Sequence, residues 1–199
     1  MGDNIMDKFY LGSKSPRRAE LLKLIHIPFA QLDFDFEEIV KENEKPRDYS
    51  IRITQEKLDV AFAYLESQHM PIYPVICADT EVVVNEEIYG KPQNYEHAFS
   101  MLKSYSGCVH QVITSVGVKY NDFCQIKTNE TWVYFDEMTD DDIHRYLALN
   151  EYQDKAGGYG IKSYLAQFIR KIDGCYYSVM GLPLNTLKQV LNALRSHVL

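Results

Sequence analysis

The chain has 199 residues, and its 21 lysines and arginines are outnumbered by 28 aspartates and glutamates, which leaves a formal net charge of −7. This length predicts one domain with a substantial core. The negative charge argues against a general nucleic-acid-binding protein, because such proteins usually carry a basic field over one face. Any anion site must therefore be local.

The N-terminal segment MGDNIMDKFYLG contains no basic region and no long apolar run, so we expect neither a secretory signal nor a membrane span, and a cytoplasmic location. The six histidines show no zinc-binding spacing. The cysteines are far apart and form no CxxC pair, which predicts reduced core residues. They are Cys77, Cys108, Cys124 and Cys175.

Strand-like and helix-like segments alternate from end to end, which predicts an α/β fold. In the first half we expect a strand at 8–11, a helix after Ser15, an edge strand from 29 to 38, a helix over 46–67 and a buried strand over 74–79. A hairpin of 82–84 with 87–90 follows.

The second half continues the alternation. Asn94 begins a helix that Gly107 ends, and Thr139 begins another with acidic residues in its first turn. Between these helices lie two long strands, at 109–120 and 124–135. A polar loop at 150–163 precedes strands near 165–172 and 175–179, which meet at an Asp173-Gly174 turn, and a last helix begins at Pro183.

Arg17 and Arg18 lie in the first turn of the helix that follows Ser15, where the helix dipole is positive. An exposed cation costs roughly 0.3–1 kcal/mol there. Backbone N–H groups at a helix start bind phosphate, so the two arginines become favourable once a multiply charged anion is bound. Solvated surface arginines are an equally good interpretation of this segment alone.

Asp79 directly follows a buried apolar run, at a place where α/β folds often bind ligands. It could hold a divalent metal or activate water, or it could simply cap a turn. Glu38 ends a run of acidic residues that offers hard oxygen ligands, although such runs are more often the solvated face of an edge strand. Individually, four lysines are typical of solvated surface positions: Lys57, Lys91, Lys155 and Lys162.

Six motifs, in order along the chain, resemble those of the Maf family of nucleoside triphosphate pyrophosphatases. They are GSKSPRR (12–18), CADTEVVV (77–84), GKP (90–92), SGCVHQVITSV (106–116), DKAGGYGI (154–161) and GLPL (181–184). Each motif alone is weak, but six in register make coincidence very improbable.

The resemblance implies a single domain over 1–199 with a fold similar to inosine triphosphate pyrophosphatase. Such a fold has an elongated mixed β-sheet with flanking helices, two lobes around a cleft, and is often a homodimer. The resemblance also implies hydrolysis of a nucleoside triphosphate between the α and β phosphates, with Mg²⁺ or Mn²⁺ as the cofactor. The net negative charge and the N-terminal sequence predict no nucleic-acid or membrane partner. The subfamily most similar to this chain acts on dTTP and UTP.

Carried over by position, the resemblance makes Asp79 the catalytic proton acceptor and places the metal on Glu38 and Asp79. The implied phosphate-binding residues are Ser13, Arg17, Arg18, Lys57 and Lys91. The positions that sort substrates are Arg17, Thr80 and Lys162. Lys162 stands where the dTTP/UTP group has glutamine, and an ammonium group only donates hydrogen bonds.

Two alternatives therefore stay open. One is a pyrophosphatase for another or a modified nucleotide, which Lys162 would help to recognise. The other is a nucleotide-binding regulator of cell division with little catalysis. Retention of Asp79, Glu38, Lys57 and Lys91 together favours an enzyme.

Overall fold

The computed structural model describes residues 8–198. Most of the N-terminal segment on which the cytoplasmic location was predicted lies outside these described residues. None of the helices within 8–198 is long and apolar enough to cross a membrane.

A single mixed sheet of seven strands organises the fold. Its order is β2-β1-β3-β5-β6-β7, and β4 pairs with β3 beside this path. The strands are β1 (Phe9–Leu11), β2 (Phe29–Gln31), β3 (Val75–Val84), β4 (Glu87–Tyr89), β5 (Val109–Tyr120), β6 (Phe123–Phe135) and β7 (Ile169–Asp173). β1 runs parallel to β2 and β3, whereas all other pairs are antiparallel.

Within residues 8–198, six α-helices flank the sheet. They are α1 (Pro16–Leu24), α2 (Pro46–Ser67), α3 (Tyr95–Tyr105), α4 (Asp140–Leu147), α5 (Tyr176–Val179) and α6 (Leu184–Val198). The starts of α3 and α4 follow the predicted chemistry, because the Asn94 side chain accepts a hydrogen bond from the His97 N–H, and Thr139 forms a reciprocal capping box with Asp142. The predicted α/β class, with a mixed sheet and flanking helices, is confirmed.

Alternation along β3 separates two parts of the core. Ile76 and Ala78 pack in a cluster with α1 and α6, whereas Val75 and Cys77 pack in a second cluster with α2. A third cluster, built mainly from α3 and α4, covers the far end of β3 at Val82. The middle of β3 is thus held on both faces, and Asp79 lies there.

Two strand predictions are wrong, and the strand predicted near 165–172 begins only at Ile169, after a 3-10 helix at Tyr164–Phe168. Residues 175–179 form α5 instead of a strand, because Gly174 has φ +134° and the Cys175 N–H donates to Thr131 Oγ1 (3.0 Å) instead of entering a ladder. The edge strand predicted for 29–38 ends at Gln31, since its only neighbour, β1, ends at Leu11. The carboxylates of Asp33 and Asp35 that follow pair with Lys14.

The cysteines were predicted to be core residues, and this is right only for Cys77. All four are free thiols, but Cys108 and Cys124 are exposed and Cys175 is half-buried. Burial raises the pKa of the Cys77 thiol to about 12. Cys77 contributes as a small apolar residue that packs against the backbone of Gly12.

Candidate active site

A cavity of about 650 Å³ opens where the motifs meet. Its walls come from the start of α1, the middle of β3, the loop at 154–163 and the segment that precedes α6. This volume lies within the range of small-molecule sites, which is about 300–1,000 Å³. The fold therefore brings segments from both ends of the chain to one cleft.

Arg17 joins the start of α1 to the glycine-rich loop across the cleft. Its Nη1 lies 3.2 Å from Asp154 Oδ2, and its Nη2 donates to the Asp154 carbonyl (3.2 Å). The Ser15 side chain does not cap α1, and the Ser15 N–H donates instead to Ser13 Oγ (3.2 Å). A carboxylate partner thus relieves part of the unfavourable charge at this helix start.

Arg18 lies deeper, and protein acceptors bind three of its nitrogens. Nε donates to the Gly181 carbonyl (2.9 Å), Nη1 to Ser13 Oγ (3.0 Å) and Nη2 to Thr80 Oγ1 (3.3 Å). Burial lowers the pKa of Arg18, and the nearby carboxylates of Asp79 and Glu38 oppose that shift. The structure thus joins the predicted residues Ser13, Arg18 and Thr80 in one network.

Asp79 is almost fully buried, with 2% of its surface exposed. The Lys57 ammonium donates to Asp79 Oδ1 (2.7 Å) and to Glu38 Oε1 (2.5 Å), so one cation joins the two predicted carboxylates. Among the described residues, the other oxygen, Asp79 Oδ2, has no hydrogen-bond partner. Lys57, which considered alone looked like a solvated surface lysine, is therefore a buried counter-ion.

The donor set suits a hard cation in one respect. Asp79 presents an unpartnered carboxylate oxygen in the cavity wall, and Mg²⁺ and Mn²⁺ prefer oxygen ligands. Within residues 8–198, no group of three aspartate, glutamate, histidine or cysteine side chains is arranged to bind a metal ion. The site fits a cation that takes one or two protein carboxylates and completes its shell with other oxygens.

Glu81 is a site residue that the sequence analysis missed. It is only 4% exposed, lines the cavity and contacts the Asp79 side chain. Burial and the neighbouring Asp79 charge raise the pKa of Glu81 well above its usual value. The signal was available, because residues two apart on a strand share a face, and Glu81 follows Asp79 by two.

The remaining lysines line the same cavity in different ways. Lys91 and Lys162 are exposed, and Lys162 lies 3.8 Å from Glu20. Lys155, predicted to be solvated, is instead only 17% exposed at its side chain and pairs with Asp154 (3.1 Å). Lys155 thus adds a basic side chain to the cavity wall, but its charge is paired with that of Asp154.

Buried aromatic side chains hold the loop at 154–163. The hydroxyls of Tyr105 and Tyr146 donate to the carbonyls of Gly157 (2.9 Å) and Gly158 (3.1 Å). The Gly157 N–H donates to the Gly90 carbonyl (2.9 Å), which ties the loop to the turn that carries Lys91. These contacts make this side of the cleft part of the rigid scaffold.

Comparison with known proteins agrees with the motifs. The sequence model of the family described as Maf-like protein matches residues 8–194. Proteins named dTTP/UTP pyrophosphatase from Alkalilimnicola ehrlichii and Escherichia coli are 40% and 39% identical to this chain. The first alignment covers 92% of this chain and 91% of the relative, and the second covers 96% of each.

Among solved structures, the Ham1 protein of Staphylococcus aureus aligns with 64% of this chain and 71% of its own, at 14% identity. The TM-score of 0.43 is too low to support a conclusion about the fold.

Proposed function

The chain belongs to the Maf-like protein family, and from that premise we propose that it is a nucleoside triphosphate pyrophosphatase that acts on dTTP and UTP. Water would attack the α-phosphorus, and the bond from that phosphorus to the α–β bridging oxygen would break. The products are the nucleoside monophosphate and pyrophosphate. The relatives named for this activity align with about nine-tenths or more of both chains.

The observation that carries this proposal is the setting of Asp79. A buried carboxylate that faces a cavity of nucleotide size, with one oxygen held by Lys57 and the other free, is a well-placed proton acceptor. In the proposed reaction Asp79 takes a proton from the attacking water. Lys57 keeps the carboxylate oriented by holding Oδ1.

Basic residues around the cavity would bind the phosphate chain. The start of α1 offers backbone N–H groups and Arg17, whose bond to Asp154 a phosphate group would replace. Lys91 reaches the cavity from the turn held by Gly157. Arg18 would act indirectly, because its hydrogen bonds to Ser13 and Thr80 orient two residues to which the resemblance assigns substrate contacts.

The proposal includes a divalent cation, Mg²⁺ or Mn²⁺. Of the two residues predicted to hold it, Asp79 presents a free oxygen, whereas Glu38 accepts a hydrogen bond from Lys57. When bound, such a cation neutralises charge on the phosphates and lowers the pKa of a coordinated water.

The test is to incubate the protein with a panel of nucleoside triphosphates and Mg²⁺ or Mn²⁺, and to measure pyrophosphate separately from orthophosphate. We expect pyrophosphate from dTTP and UTP, and a fall in kcat of about 10²–10⁴-fold in Asp79→Asn. Asp59→Asn, which removes an exposed carboxylate paired with Lys119, is the matched control and should keep its activity. Orthophosphate as the product would overturn the proposal.

A second candidate is a pyrophosphatase for another or a modified nucleotide, which the position of Lys162 favours. Its ammonium lies at the cavity wall and 3.8 Å from Glu20, so it can donate to acceptor groups on a substrate. The same panel separates the candidates by their rates. If the protein hydrolyses none of the nucleotides, the result would instead favour a nucleotide-binding regulator of cell division with little catalysis.

The proposal includes a cytoplasmic location, where nucleoside triphosphates are available, and assembly as a homodimer. Size-exclusion chromatography with light scattering tests the dimer directly.

A further inference from the structure

The two carboxylates that the resemblance assigns to the metal are not equivalent in the structure. Glu38 is bound to the Lys57 ammonium at 2.5 Å, and 41% of its side chain is exposed. Asp79 shares that ammonium through Oδ1 only, and its side chain is 3% exposed. Asp79 Oδ2 therefore remains a buried acceptor with no partner.

A better-placed second carboxylate lies beside Asp79. Glu81 follows Asp79 by two residues on β3, so both side chains leave the same face of the sheet. Both line the cavity, both are buried, and their side chains touch. Within residues 8–198, Glu81 forms no ion pair with any lysine or arginine.

Carboxyl groups outnumber the neighbouring cationic side chains at this point. Three carboxyl groups, from Glu38, Asp79 and Glu81, meet a single ammonium group from Lys57. The guanidinium of Arg18 adds a second positive charge nearby, although its hydrogen bonds go to the neutral acceptors Gly181, Ser13 and Thr80. Burying adjacent carboxyl groups without a partner is costly, so a hard cation between Asp79 and Glu81 would stabilise this arrangement.

We propose that Asp79 and Glu81, and not Glu38, supply the protein ligands of the divalent cation, while Glu38 remains the partner of Lys57. The inference rests on the proposed function for the identity of the cation, Mg²⁺ or Mn²⁺. Mg²⁺ is usually bound by one or two carboxylates together with waters and substrate phosphates.

The assignment is compatible with proton transfer to Asp79. A carboxylate has about four lone-pair positions on its two oxygens. Asp79 Oδ1 uses one for Lys57, and Oδ2 is free to coordinate a cation with one lone pair and to accept a hydrogen from water with the other.

The experiment is a titration with Mn²⁺ alone, followed by the electron paramagnetic resonance signal of the free ion. We expect one site per wild-type chain and an affinity weaker by at least about 10–100-fold in Glu81→Gln, because losing only a hydrogen-bond partner of a ligand already costs that much. Glu38→Gln should stay close to wild type. Glu87→Gln, which changes an exposed glutamate of β4, is the control for a general loss of surface charge.

Three results would overturn the inference. They are a wild-type affinity in Glu81→Gln, a larger loss in Glu38→Gln than in Glu81→Gln, and no Mn²⁺ site in the wild-type protein. Circular dichroism checks that each variant folds. If Glu81→Gln does not fold, Glu81→Asp keeps the charge but shortens the side chain, and its Mn²⁺ affinity must then fall below that of wild type.

Failure here can be told apart from failure of the proposed function. If the protein releases pyrophosphate but Glu81→Gln binds Mn²⁺ normally, only the ligand assignment is wrong. If Glu81→Gln loses Mn²⁺ but the wild-type protein hydrolyses no nucleotide, the assignment stands and the proposed activity is wrong.

Discussion

His110 gives the protein a pH-dependent stability that can be measured directly. The side chain is 2% exposed, its Nε2 lies 2.7 Å from the Tyr159 hydroxyl, and its Nδ1 has no partner. The rings of Tyr105, Phe135 and Tyr159 surround it, and none of them carries a charge near neutral pH. Burial lowers the pKa of His110 from 6.5 to about 4, so the folded protein keeps this imidazole neutral.

The sign follows from proton counting. Between pH 6.5 and about pH 4 the unfolded chain binds a proton at His110 that the folded chain does not. Stability is therefore fully present above pH 6.5 and falls as the pH drops toward 4, by about 1.4 kcal/mol per pH unit and by about 3 kcal/mol in all.

The assay is urea unfolding, followed by circular dichroism, at several values between about pH 7.5 and about pH 4.5. The wild-type protein should lose more stability over this range than His110→Gln, in which position 110 no longer titrates. His26→Asn, which changes an exposed histidine, should follow the wild-type curve. Parallel curves for wild type and His110→Gln would refute the reasoning.

Two further substitutions test the cleft. Gly157→Ala should destabilise the protein by about 2–4 kcal/mol in urea unfolding, because φ is +67° and a Cβ atom would lie 2.6 Å from Val82. Gly90→Ala is the control and should change the stability little, because no atom lies within 4 Å of the added Cβ. Equal effects of the two substitutions would contradict this account. Lys57→Met should lower the free energy of unfolding by about 3–5 kcal/mol in the same measurement, because the buried Asp79 carboxylate loses its cationic partner. A loss below about 1 kcal/mol would contradict this account, since that is the value expected for a solvated ion pair.

Local patterns in the sequence predicted most elements of the fold. Apolar periodicity located the helix at 46–67 and the strand that begins near Val75, and the capping residues Asn94 and Thr139 located two helix starts. These predictions succeed because a cap or an amphipathic stripe is decided within a few neighbouring residues. The motifs identified the family for the same reason, since each lies within one short segment.

The failures have a common cause. Residues 175–179 looked like a strand, but the Cys175 N–H binds Thr131, which lies 44 positions earlier in the chain. Lys57 looked solvated, but its ammonium group donates to Asp79, which lies 22 positions later in the chain. In both cases the deciding partner belongs to the tertiary arrangement and leaves no local pattern.

The sequence alone determined which groups are present at the site: a carboxylate after a buried strand, two arginines at a helix start and a set of lysines. Only the tertiary structure decided their partners. Arg18 and the Gly181 carbonyl are 163 positions apart, and Lys57 and Asp79 are 22 apart. Such pairings depend on the strand order and register of the sheet, which bring the start of α1, the middle of β3 and the segment before α6 together. The same arrangement leaves Asp79 Oδ2 and Glu81 facing the cleft.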